Sequence, residues 1–91
     1  MPTVRQHLSL LLKSGSLSAK DLSAAAHLPE KDVIHHLGHI RRSAGRGFVV
    51  EPAECLACGY LFEDRRRLSR PGRCPRCRST RINPPLFRIT E

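Results

Sequence analysis

Tryptophan is absent from this chain, and aromatic residues make up only 4% of its 91 positions. That scarcity argues against base stacking as a main mode of binding single strands. Long apolar runs are also missing. No stretch approaches the roughly 18 uninterrupted apolar residues of a membrane-spanning helix, so no membrane partner is expected. The N-terminus leads straight into an amphipathic pattern with no small-residue cleavage site. No secretory signal is read there, and a cytoplasmic protein is expected. Acids are scarce too, with 8 Asp+Glu against 16 Lys+Arg and a formal charge of +8. The length suits one small domain or two very small lobes. A chain this size buries about 60% of its unfolded surface, which leaves little room for a deep active site. An enzyme is not expected.

Charge and ligand residues divide unevenly. Residues 1–47 hold seven Lys/Arg, three acids and all five His, while residues 48–91 hold nine Arg, no Lys, five acids and all four Cys. The net charge is +4 in each part (7 − 3 and 9 − 5). Two functional units follow from that split. Basic charge in both favours a polyanionic partner, although solubility alone calls for a net charge of about 2–8.

The first part reads as three helices. Thr3 and Gln6 have capping-box spacing, and Val4, Leu8, Leu11 and Leu12 form one apolar stripe. Ser18 and Asp21 repeat the cap, and Leu17 with Leu22 suits a hydrophobic staple. Ala24, Ala25 and Ala26 extend this second helix, and their small size would let another helix approach. His27-Leu28-Pro29 breaks it. A third helix is expected from about Glu30 to Ser43, with Val33, Leu37 and Ile40 buried and Gly45-Arg46-Gly47 ending it. A short helix, a tight turn and a longer helix make a helix-turn-helix, which can place its third helix in a major groove. A plain three-helix bundle shares the same periodicity.

Residues 17–45 resemble the winged helix-turn-helix of the arsenic-sensing repressor superfamily. The resemblance rests on Leu17-Ser18-Ala19-Lys20-Asp21-Leu22, Val33-Ile34-His35-His36-Leu37-Gly38-His39-Ile40-Arg41 and Ala44-Gly45. It implies that Lys31, Ile34 and His35 face the groove, with His39 and Arg42 nearer the phosphate backbone. Glu30 and Asp32 depart from an ideal groove-reading face, because they suit the helix dipole but repel phosphate. That family's metal-sensing cysteines have no counterpart in residues 1–47. His35 and His39 lie four apart on one face and could share an ion. Spacing alone makes two ligands without a third a weak site, so they are read first as an exposed or phosphate-contacting face.

Cys55-Leu56-Ala57-Cys58-Gly59 and Cys74-Pro75-Arg76-Cys77 give C-x2-C-x15-C-x2-C, the strongest signal in the chain. Each pair can grip one ion, and four thiolates leave no open coordination position. The site is therefore structural. Gly59 permits a positive φ after the first knuckle. Zinc binding in small cysteine modules contributes about 10–16 kcal/mol at neutral pH. Leu56, Tyr60, Leu61, Phe62, Leu68 and Ile82, at about 1.5–3 kcal/mol each when buried, cannot order the lobe without it. Four thiolates and Zn2+ add −2, so the loaded chain carries +6. Two disulfides are the alternative, disfavoured by paired C-x2-C and the expected compartment. The knuckles are also similar to those of rubredoxin, a one-iron electron carrier, which makes iron the second candidate ion. The short loop between knuckles, the missing tryptophan and the basic charge favour zinc.

Phe48-Val49-Val50-Glu51 and Leu86-Phe87-Arg88-Ile89-Thr90 read as short strands. Paired antiparallel, they would form the wing, with the ribbon inserted between them and Phe48 and Phe87 packed on the helices. The expected class is α+β: a winged helix-turn-helix over residues 1–51, completed by strand 86–90, with a rubredoxin-like zinc ribbon over 52–85. The whole chain resembles a small prokaryotic family of predicted transcriptional regulators in which a helix-turn-helix is fused to a zinc ribbon, and the run from Pro52 to Ile89 is its most specific part. The resemblance rests on Pro52-Ala53-Glu54-Cys55-Leu56-Ala57-Cys58-Gly59-Tyr60-Leu61-Phe62, Pro71-Gly72-Arg73-Cys74-Pro75-Arg76-Cys77-Arg78-Ser79, Ile82, Pro85 and Phe87-Arg88-Ile89.

The leading expectation is thus a regulator of transcription that binds double-stranded DNA. Its third helix would supply Lys31, Ile34, His35, His39, Arg41 and Arg42, and its ribbon Arg65, Arg66 and Arg67. The rival is an adaptor that binds other proteins or RNA through the ribbon. An iron electron carrier comes third. A homodimer stays open, although the first helix offers a single apolar stripe that the core would use.

Overall fold

The computed structural model describes residues 3–63 and 68–90. Three helices come first: α1 (Val4–Ser14), α2 (Ala19–Ala26) and α3 (Glu30–Ala44). Four short strands follow: β1 (Phe48–Glu51), β2 (Glu54–Cys55), β3 (Ile82–Asn83) and β4 (Leu86–Ile89). The class is α+β, with two small two-stranded sheets. Among the described residues, no helix is long and apolar enough to cross a membrane.

Both expected capping boxes form. Thr3 Oγ1 accepts from the Gln6 N–H at 3.2 Å while Gln6 accepts from the Thr3 N–H at 2.8 Å. Ser18 and Asp21 exchange the same pair of bonds at 3.1 Å each. These caps satisfy N–H groups that the helix leaves orphaned. The break after α2 is made by His27, whose φ of 57° and ψ of 45° are left-handed. Its N–H donates to the Ser23 carbonyl, and the Ser23 hydroxyl donates to the Leu28 carbonyl. Pro29 then caps α3, its carbonyl accepting from Asp32 and Val33.

The core joins Leu8 and Leu12 of α1, Leu22 of α2, and Val33, Leu37 and Ile40 of α3 to Phe48 and Phe87. The rings of Phe48 and Phe87 stack at 6.0 Å. Three expectations are corrected. Val4, the first residue of α1, is 41% exposed and does not join Leu8 and Leu12 in the core. Ala24 and Ala25 face solvent, and only Ala26 packs on the core. Leu68 belongs to the helical core and not to the ribbon's own apolar set.

β1 and β4 pair antiparallel, from Phe48 opposite Ile89 to Glu51 opposite Leu86. The chain therefore leaves this ladder at Glu51, builds the ribbon, and returns at Leu86. β4 is also bound on its other edge, where Leu17 and Phe87 exchange backbone hydrogen bonds. At the end of the ladder away from the ribbon, the Thr90 N–H donates to the Gly47 carbonyl at 2.7 Å. A Cβ on Gly47 would lie 2.6 Å from the Thr90 carbonyl oxygen, so only glycine fits this approach. The ribbon's base is the short β2–β3 pair, with Cys55 opposite Ile82.

Candidate metal centre and nucleic-acid interface

The two cysteine knuckles are built alike. In the first, the Gly59 N–H donates to the Cys55 carbonyl at 2.8 Å, and the Cys55 N–H donates to the Tyr60 carbonyl at 2.8 Å. In the second, Arg78 donates to Cys74 and Cys74 to Ser79, both at 2.9 Å. The residue after each knuckle is left-handed: Gly59 has φ 79° and Arg78 has φ 63°. Arg78 thus holds the place that glycine holds in the first knuckle, a role its sequence position did not reveal.

All four Sγ atoms lie within 4.8 Å of one another. The pairs Cys55–Cys77 and Cys58–Cys74 are 3.4 and 3.7 Å apart, and each joins one knuckle to the other. A Zn2+ ion with Zn–S bonds of about 2.3 Å sets tetrahedral sulfurs about 3.8 Å apart, close to these separations. A disulfide needs about 2.05 Å, and all four cysteines are free. The first cysteine of each knuckle is buried and the second exposed. The residues therefore fit a structural tetrathiolate zinc ion.

Ionisation of the bare sulfurs points the same way. Burial opposes ionisation of Cys74, yet the N–H groups of Cys77 and Arg76, with the Cys58 and Cys55 thiols, outweigh it and bring its pKa down to about 7. At Cys77 the Ser79 N–H favours the thiolate. Cys55, burial, Cys58 and Cys74 work against it and push the pKa up to about 12. Four thiolates at this spacing repel one another, and a divalent cation removes that conflict.

The second group of candidate residues lies on α3. Lys31, His35, Arg41 and Arg42 are exposed, and His39 is half-buried. Lys31, His35 and Arg42 share one helical face, opposite Val33, Leu37 and Ile40. Ile34 is half-buried and packs against the core. It lines a groove of about 330 Å³ with Lys20, Lys31, Leu68, Arg70 and Pro85. The ribbon thus meets the start of α3 at this groove. Arg65, Arg66 and Arg67 fall outside the described residues.

Three imidazoles gather beside that face. The His35 and His39 ring centroids are 4.9 Å apart, and those of His35 and His36 are 6.0 Å apart. Arg5 of α1 donates from Nε to His36 Nδ1 at 3.4 Å. The Arg5 guanidinium, partial burial, Arg42 and the two neighbouring imidazoles hold the His39 pKa below the ordinary histidine value.

Residues 3–50 match the family described as PF0610-like, N-terminal. Residues 52–91 match the PF0610 rubredoxin-like zinc beta-ribbon domain. The solution NMR structure of protein PF0610 from Pyrococcus furiosus is similar over 97% of this chain and 89% of that one, at 27% identity and a TM-score of 0.77. Comparison with curated proteins finds no match.

Proposed function

This chain belongs to the PF0610-like family, and from that premise we propose that it is a DNA-binding regulator of transcription built on a winged helix-turn-helix. In this reading α2, the left-handed turn at His27 and α3 are the helix-turn-helix. The β1–β4 ladder is the wing, and the zinc ribbon replaces the wing's tip. The observation that carries the reading is the outward face of α3, where Lys31, His35 and Arg42 are exposed beside His39. Glu30 and Asp32 lie in the first turn of α3. They weaken phosphate approach there, so the contacts fall toward its C-terminal half, where Arg41 and Arg42 lie. Phosphate contacts release counterions, and affinity for duplex DNA therefore drops steeply with salt. Fluorescence anisotropy with the zinc-loaded protein and a labelled duplex tests this. Binding that weakens with salt and with Arg42→Glu supports the reading. No binding to any duplex, or binding indifferent to salt, overturns it.

One observation favours a second reading. Leu56 and Leu61 of the ribbon are 57% and 45% exposed. Apolar side chains held on a rigid metal module suit a protein-binding adaptor. Retention of a protein partner in variants that have lost duplex binding, with loss in Leu56→Ser, would select this second role.

A further inference from the structure

The ribbon's cysteines account for one ion, but the imidazoles on α3 form a separate donor set. We propose that His35 and His39 chelate a second divalent transition ion of the nickel, copper and zinc class, with water completing its coordination. Residues i and i+4 lie one above the other on a helix, so the backbone already fixes the pair's spacing. A metal–nitrogen bond of about 2.1 Å, with each ring centroid about 1.1 Å behind its nitrogen, gives a cis pair of imidazoles centroids about 4.5–5.2 Å apart for bond angles of about 90–110°. The observed separation is 4.9 Å. The rings are inclined at 75°, edge to face.

Protonation favours the site as well. A ligand imidazole must be neutral, and Arg5 and Arg42 help to hold His39 in that form, although their charge also works against a dication. His36 is not part of the pair, because its Nδ1 is engaged by Arg5 and its ring stands farther from His35 than that of His39 does. Imidazole donors suit nickel, copper and zinc more than magnesium or calcium. The site stands whether or not α3 meets DNA. Where it does, the ion and a backbone phosphate compete for the same two rings.

Nickel titration of the zinc-loaded protein, followed by calorimetry and by histidine side-chain NMR, tests the assignment. One equivalent of Ni2+ is expected to bind and to broaden His35 and His39. His35→Ala and His39→Ala should each weaken binding by about tenfold or more, at least the cost of losing an outer-shell partner at a metal site. His36→Ala should weaken it far less than either of these, because that ring is not a ligand. Absence of nickel binding overturns the proposal. So does an affinity unchanged in both His35→Ala and His39→Ala. A thiolate-to-nickel charge-transfer band would place the ion at the cysteines and overturn it equally.

Discussion

Leu17 and Phe87 exchange both of their backbone hydrogen bonds, at 2.9 and 2.8 Å. The segment between α1 and α2 therefore bridges to β4 on the side away from β1. Phe87 is fully buried at that junction and stacks on Phe48. The strand that closes the ribbon is thus also a wall of the helical core.

Phe87→Ala should destabilise the chain by about 3–5 kcal/mol, the usual cost of emptying a buried aromatic site. Urea unfolding followed by helix signal should show the loss. A change under about 1 kcal/mol would mean that Phe87 is not a core residue.

Leu68 lies in the ribbon by sequence but in the helical core by packing. Leu68→Ala should cost about 2–4 kcal/mol of helix stability. Zinc affinity should change less than in a cysteine variant, because Leu68 is not a ligand. Equal helix stability in the variant and the native chain would show that the two parts fold independently.

The knuckles allow opposite substitutions at matching places. Gly59→Ala forces a Cβ into a left-handed position and should destabilise the ribbon by about 1 kcal/mol. Arg78→Gly relieves the same strain and should stabilise it by up to about 1 kcal/mol, less the entropy of the freer unfolded chain. Thermal unfolding of the zinc-loaded variants reads both signs. Destabilisation by both substitutions would show that the Arg78 side chain matters more than its backbone.

His39 should titrate below the ordinary histidine value of about 6.5. The folded chain then resists a proton that the unfolded chain accepts. Stability from this group is present above the unfolded value and is lost as pH falls through the depressed folded value. Arg5→Ala should move the NMR midpoint upward, because Arg5 is the largest cause of the shift. A midpoint at or above 6.5, or one unmoved by Arg5→Ala, would contradict this.

Much of this architecture is legible in the residues. Thr3 with Gln6 and Ser18 with Asp21 announce their helices, because a capping box is a local interaction. The C-x2-C pairs announce the metal for the same reason. What local pattern does not carry is long-range partnership. Nothing about Leu17 marks it as a strand residue, since its bonds depend on where Phe87 arrives seventy positions later. Leu68 offers no sign that it will cross to the helices. Arg78 looks like one more basic residue until its backbone is seen to repeat that of Gly59. The His35–His39 spacing is visible in the sequence, but only the ring separation turns it into a ligand geometry.

Chelation of the zinc-loaded protein under reducing conditions, followed residue by residue with amide NMR, tests most directly whether the bound cation organises the ribbon. On this account, amides of residues 54–63 and 70–83 collapse toward unstructured shifts, while those of α1 and α3 keep folded dispersion. A spectrum that retains every ribbon resonance after complete zinc removal would contradict it.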